Sequence, residues 1–123
     1  MKVMVVDDEE DIQSLFTQKF RKEIKSGLIH FYFALSAEVA LDYLENHKEA
    51  SIVLILSDIN MPGMNGIELL RIIKEKFPDL KVFMITAYGD ERNYQTAIAY
   101  GADDYITKPV NFESLKNKII NLE

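Results

Sequence analysis

Five successive residues, Ile52-Val53-Leu54-Ile55-Leu56, are apolar without a break and end on Ser57-Asp58. A run with no polar alternate has no face for water, so it fits the central strand of a parallel sheet covered by helices on both sides. The neighbouring segments agree with that. Val3-Met4-Val5-Val6 is a second such run, and Ile12, Leu15, Phe16, Phe20 and Ile24 follow it at the spacing of one helix face. Ile29 to Ala34 reads as an aromatic-rich strand, after which Ser36 is placed to cap a helix carrying Ala37, Ala40, Leu41 and Leu44. The turn-forming Asn60-Met61-Pro62-Gly63-Met64-Asn65-Gly66 leads into a helix with Ile67, Leu69, Leu70, Ile73 and Phe77, ended before Pro78. Val82 to Ile85 predicts a fourth strand, and a shorter helix around Tyr94, Ala97 and Ile98 stops at Gly101. A fifth strand falls near Asp104-Tyr105-Ile106, and Asn111 caps a last helix with Phe112, Leu115 and Ile119 inward. Strands alternating with helices predict an α/β fold, a doubly wound three-layer α/β/α sandwich with a five-stranded parallel sheet and five helices.

With 123 residues, the chain has room for one domain, residues 1–123, and none for an output domain. That length buries a core without staples, in keeping with the absence of cysteine, which also excludes thiolate metal sites and cysteine nucleophiles. The 20 acidic and 14 basic residues leave a net charge of −6, which argues against direct nucleic-acid binding, since phosphate contacts need a basic face. The apolar runs fall far short of the roughly 20 residues of a membrane helix, and the start turns acidic at Asp7 before any signal-peptide core develops. A cytoplasmic protein with no membrane contact is expected.

Ligands of open parallel sheets bind at the carboxyl ends of the strands. Here those ends carry Asp7-Asp8-Glu9-Glu10-Asp11, then Asp58, then Thr86-Ala87, then Thr107-Lys108-Pro109. Acids in a first helical turn favour the helix dipole, which explains Glu9, Glu10 and Asp11 without a site. Asp7, Asp8 and Asp58 enter one crevice, where three carboxylates repel and raise each other's pKa unless a cation sits among them. Oxygen ligands with no competing Cys or His suit Mg2+. Singly, Asp58 reads as a turn-capping acid, Lys108 as a surface lysine, Thr86 as a strand residue and Tyr105 as a half-buried aromatic. Jointly they make a site.

The Asp7-Asp8 pair, Ser57-Asp58-Ile59-Asn60-Met61-Pro62-Gly63-Met64-Asn65-Gly66, Ile85-Thr86-Ala87-Tyr88-Gly89 and Gly101-Ala102-Asp103-Asp104-Tyr105-Ile106-Thr107-Lys108-Pro109 together resemble a bacterial two-component response-regulator receiver domain. The resemblance covers nearly the whole chain. It implies a flavodoxin-like strand order 2-1-3-4-5 and a phosphorelay switch that catalyses chemistry only on itself. Asp58 would accept a phosphoryl group from a histidine kinase or phosphotransfer protein. Asp8 would ligate Mg2+ directly, Asp7 largely through water, and Asp58 and the Asn60 backbone carbonyl would complete the ligands. Thr86 would hydrogen-bond the phosphoryl oxygens, Lys108 would neutralise their charge, and the Lys108-Pro109 bond would be cis. Thr86, Ala87 and Tyr105 would form the switch, with Tyr105 turning inward.

Two departures from relatives lie away from the chemistry, a longer first helix and exit through Leu28, and Ala37 where many carry glycine. At the rim, Asn60 and Tyr88 would flank the water that hydrolyses the phosphate, and bulky Tyr88 is expected to slow that step. The fourth helix, fifth strand and fifth helix present Arg92, Asn93, Tyr94, Tyr105, Asn111, Lys116 and Lys118, a mixed surface suited to a downstream effector, an output domain or a homodimer. Three rival readings fit the residues less well. An aspartyl-phosphate phosphatase of the haloacid-dehalogenase kind needs an acid where Asn60 stands. A flavodoxin-like cofactor binder needs a phosphate-accepting turn where the acidic run stands. A scaffold without phosphorylation leaves the set Asp7, Asp8, Asp58, Thr86 and Lys108 unexplained.

Overall fold

The computed structural model describes residues 1–122 except Tyr88, and of Glu49 the backbone alone. The apolar run Ile52–Leu56 forms, with Ser57 and Asp58, the strand β3 (Ile52–Asp58), which is buried from Leu54 onward. Val53, near the strand's entry, stays 40% exposed, so two-sided cover begins one residue later. Around β3 stand β1 (Lys2–Val6), β2 (His30–Ala34), β4 (Lys81–Ala87) and β5 (Asp104–Lys108). They make one parallel sheet in the order β2-β1-β3-β4-β5.

Side chains alternate across a strand, so each strand feeds two cores. Met4, Val6, Ile55, Val82 and Met84 meet α3 (Ala37–Asn46), α4 (Gly66–Lys76) and α5 (Glu91–Ala99) through Ala40, Leu44, Leu69, Leu70, Ile73 and Ala97. Val3, Val5, Leu54, Leu56, Phe83 and Ile85 meet the other helices through Phe16, Phe20, Leu115 and Ile119. Those helices are α1 (Asp11–Lys19), α2 (Arg21–Lys25) and α6 (Phe112–Ile120). The result is the expected three-layer sandwich. Four caps fix helix starts: Ser36, Asn65, Asp90 and Asn111 each accept the backbone N–H three residues on.

The expectation of five helices needs correction, since six α-helices are present among the described residues. The first amphipathic segment breaks at Phe20, whose φ of −106° and ψ of 21° depart from helical values. The break does not orphan the backbone, because Phe20 N–H donates to the Phe16 carbonyl and Ile24 N–H to that of Phe20. The bend lets the Phe20 ring enter the core fully, stacked at 5.8 Å on Phe16 and edge-on at 5.1 Å to Phe31. One periodic stripe therefore spans two helices, since the period survives a bend that the apolar pattern does not mark.

Candidate phosphoacceptor and metal site

The parallel register brings the chemistry to one edge. Val6 pairs with Ser57, Asp58 with Ile85, and Ala87 with Lys108, so the residues leaving β1, β3, β4 and β5 meet at the same level. Asp7 is fixed there by two bonds. Its N–H donates to the Ala34 carbonyl (3.1 Å), and its Oδ1 accepts from Glu9 N–H (2.9 Å). Carboxylate oxygens of Asp7, Asp8 and Asp58 lie within 4.8 Å of one another. Asp7 and Asp58 are buried and Asp8 is exposed, which sets two acids in the floor and one at the mouth. Lys108 Nζ lies 3.5 Å from Asp58 Oδ2, and the Lys108-Pro109 peptide is cis.

Burial dominates the electrostatics. It pushes the Asp7 pKa from 3.8 to about 6, helped by the Asp58 charge and opposed by the Glu9 N–H and Lys108. Asp58 is raised for the same first reason, against the pull of Lys108 and of the backbone amides of Ile59 and Asn60. Two buried acids close together, both with raised pKa values, describe a site that gains from a cation. The donor set is all oxygen, with no Cys and no His among it, and it offers carboxylates at the spacing a shared divalent ion bridges. The residues present therefore fit Mg2+.

On the other side of Asp58, Thr86 is fully buried and its Oγ1 makes no hydrogen bond of good geometry among the described atoms, with the Tyr105 hydroxyl near enough to interact with it. A buried hydroxyl left unpaired carries a desolvation cost, which an arriving acceptor oxygen relieves. Next to it the half-buried Tyr105 donates its hydroxyl to the Asp90 carbonyl (3.2 Å) and packs edge-on against Tyr94 at 4.8 Å. Burial raises the Tyr105 pKa. Ala87, exposed at the end of β4, follows Thr86, while Tyr88 lies outside the described residues, and with it the expectation about hydrolysis. Asn60 is exposed two residues past Asp58, where the chain leaves the strand.

On the α5/β5/α6 surface, the position of Lys116 departs from the expectation. Tyr94 and Tyr105 pack together there, Ile98 is exposed on α5, and Lys118 bridges to Asp104 at 2.6 Å. Lys116 belongs elsewhere, paired with Glu23 of α2 at 3.3 Å and set over the Phe20 ring at 5.5 Å. It points inward because its neighbours on α6, Leu115 and Ile119, bury that side of the helix.

Three site-shaping residues carry no separate signal in the sequence. Ser57 Oγ donates to the Asp58 carbonyl (2.9 Å), reading beforehand only as the end of a strand. Gly66 donates its N–H to the Ile59 carbonyl (2.8 Å), and a Cβ on it would lie 2.1 Å from the Asp58 carbonyl oxygen. Turn chemistry foreshadowed a glycine there, but not this approach. Glu38, in the first turn of α3, accepts from Met64 N–H in the loop after Asp58 (3.2 Å). An apolar cavity of about 330 Å³ also opens beside Asp58 and Lys108, walled by Ile12, Leu15, Phe16, Leu56 and Phe112.

Comparisons with known proteins agree with this geometry. The family model for the response regulator receiver domain matches residues 3–120. A two-component response regulator of Arabidopsis thaliana, ARR14, is 38% identical over 117 residues, covering 95% of this chain and 29% of that protein. A cyclic di-GMP phosphodiesterase of Thermotoga maritima is 35% identical over 119 residues, covering 97% of this chain and 30% of its own length. The chain thus spans less than a third of these two relatives. Among solved structures, a CheY-like receiver domain protein from Methanospirillum hungatei superposes with a TM-score of 0.84 at 33% identity, covering 97% of this chain and 90% of that one. The response regulator TrrA from Thermotoga maritima, in complex with Mg2+ and BeF, gives a TM-score of 0.80 at 32% identity, covering 99% and 98%. On a family match over nearly its whole length, and with the acidic crevice at the matching strand ends, the chain belongs to the response-regulator receiver-domain family.

Proposed function

We propose that the chain is a phosphorelay switch in which Asp58 accepts a phosphoryl group from a histidine kinase or phosphotransfer protein. The observation that carries this is the constellation around Asp58: a buried carboxylate 3.5 Å from Lys108, within 4.8 Å of Asp7 and Asp8, and close in the sheet to the buried Thr86 hydroxyl, which makes no hydrogen bond of good geometry among the described atoms. One Asp58 oxygen attacks phosphorus, the bond from phosphorus to the donor nitrogen breaks, and its electron pair stays with the imidazole, which takes a proton from solvent. Asp8, Asp58, the Asn60 carbonyl and Asp7 would hold Mg2+, which would supply charge neutralisation at the phosphoryl oxygens. Lys108 shifts its ammonium from the Asp58 carboxylate toward the new phosphoryl oxygens, and Thr86 Oγ1 donates to another.

The readout is conformational. Thr86 moves toward the phosphoryl group, vacating space into which Tyr105 turns from its bond to Asp90, and Ala87 follows with its loop. The α5/β5/α6 surface then offers a changed face to a downstream effector, an output domain or a second copy. Receiver domains are signalling switches, and on this reading the chain catalyses only its own phosphorylation and dephosphorylation. We read it as a single receiver acting in the cytoplasm, with output from another protein or another part of a longer chain. Its curated relatives are longer than the matched region, which supports the second arrangement for them.

Intact-mass spectrometry after incubation with Mg2+ and a small acyl phosphate tests the proposal. The expected result is one phosphoryl adduct, lost without Mg2+ and lost in Asp58→Asn. An adduct that persists in Asp58→Asn, or a folded chain that takes none from any donor, overturns it.

A further inference from the structure

The loop from β3 to α4 is tied at both ends by the backbone. Ile59 N–H donates to the Ile85 carbonyl (3.1 Å), and Gly66 N–H donates to the Ile59 carbonyl (2.8 Å). Between these ties, Met61 is buried and Met64 packs against the core. One further tie comes from another element. The Glu38 carboxylate of α3 accepts from Met64 N–H at 3.2 Å, across 26 residues of chain. The same carboxylate lies against Gly63, where φ is +75° and a Cβ would come 3.0 Å from Oε2. The needs of α3 do not account for this direction, because Ser36 already caps the helix by accepting from Val39 N–H. A carboxylate of a neighbouring helix is thus directed onto the loop that holds Asn60.

We propose that Glu38 is a positioning residue for the cation site: its bond to Met64 N–H holds the 60–65 loop in the conformation from which the Asn60 carbonyl ligates Mg2+. This rests on the reading of Asn60 as a ligand given above. A loop already ordered has less conformational entropy to lose when the ion binds, so a tether raises affinity without touching the ion. Glu38 is exposed, so its effect is graded. Loss of one such bond corresponds to about five-fold in binding.

Isothermal titration of Mg2+ into the native chain and into Glu38→Ala, Glu38→Gln and Asp8→Asn, with metal-free melting temperatures for each, tests the assignment. Glu38→Ala is expected to bind Mg2+ about five-fold more weakly. Glu38→Gln keeps an acceptor oxygen and is expected to restore the affinity although the charge is gone. Unchanged affinity in Glu38→Ala overturns the proposal, including where its metal-free melting temperature falls, since Glu38 then serves only the helix. Equal weakening in Glu38→Gln also overturns it, by assigning the effect to charge rather than to the tether. If the native chain itself binds no Mg2+ and Asp8→Asn matches it, the metal site fails and this inference fails with it.

Discussion

Asp7 contributes to how the metal-free protein responds to acid. Its folded pKa of about 6 stands above the unfolded 3.8, so the folded chain takes up a proton over that interval while the unfolded chain does not. The Asp7 contribution therefore makes the metal-free fold more stable as pH falls from 7 toward 5, and levels off near the unfolded value. Asp58 is shifted in the same direction and adds to the trend. Melting temperatures without divalent cations at pH 7.5 and pH 5.5 check this. Asp7→Asn is expected to shrink the gain on acidification, and an equal gain in both chains would show that other groups carry it. Gly66 gives a steric prediction at the same scale. A methyl group 2.1 Å from the Asp58 carbonyl oxygen cannot be accommodated without moving the strand end, so Gly66→Ala is expected to lose phosphoryl adduct far more than Gly27→Ala. Gly27 has no atom near its Cβ position, so its cost is limited to that of a positive φ.

Among the elements, the broken first helix stands out. Its bend places Phe20 between Phe16, Phe31 and Phe112 with no exposure to solvent. Phe20→Ala removes that ring from a packed aromatic cluster and is expected to cost about 3–5 kcal/mol in urea unfolding. Phe20→Leu refills part of the space and is expected to cost less. A loss near zero for alanine would mean that the cluster closes over the gap. At the start of α4, Asn65 accepts from Glu68 N–H at 2.9 Å, and Asn65→Ala is expected to cost about 1 kcal/mol by the same measurement. Of these devices, the caps at Ser36 and Asn111 were legible in the sequence, because capping side chains have a local signature. The bend was not, because both halves of the helix keep one apolar period.

For the whole molecule, the proposed site makes one edge of the sheet open to stabilisation by a ligand. On the proposed reading, Mg2+ binds the assembled Asp7, Asp8 and Asp58 cluster and not the dispersed residues of the unfolded chain, so it is expected to raise the melting temperature. Asp8→Asn should reduce that rise more than Glu10→Gln, because Glu10 lies outside the cluster. Equal reductions would remove Asp8 from the ligand set. The two sides of the molecule also differ in character. Tyr94 and Ile98 leave apolar surface on α5, 37% and 47% exposed, whereas Lys116 closes onto α2 instead of joining that face. No described helix is long and apolar enough to cross a membrane.

The sequence by itself determined the layers, the five strands and the residues at their carboxyl ends. Apolar runs, helical periods and turn residues are local patterns, and in a parallel sheet they place Asp7, Asp58, Thr86 and Lys108 on one edge by rule. The four receiver-like segments extended that reading to roles for single residues, and the family match agrees with their source. Only the tertiary structure decided which distant groups touch. The Glu38 carboxylate on Met64 N–H, the approach of Gly66 to the Asp58 carbonyl and the turn of Lys116 toward Glu23 join residues from separate parts of the fold. Each depends on how elements pack after they form, and packing distances of a few ångströms leave no periodic trace in the chain.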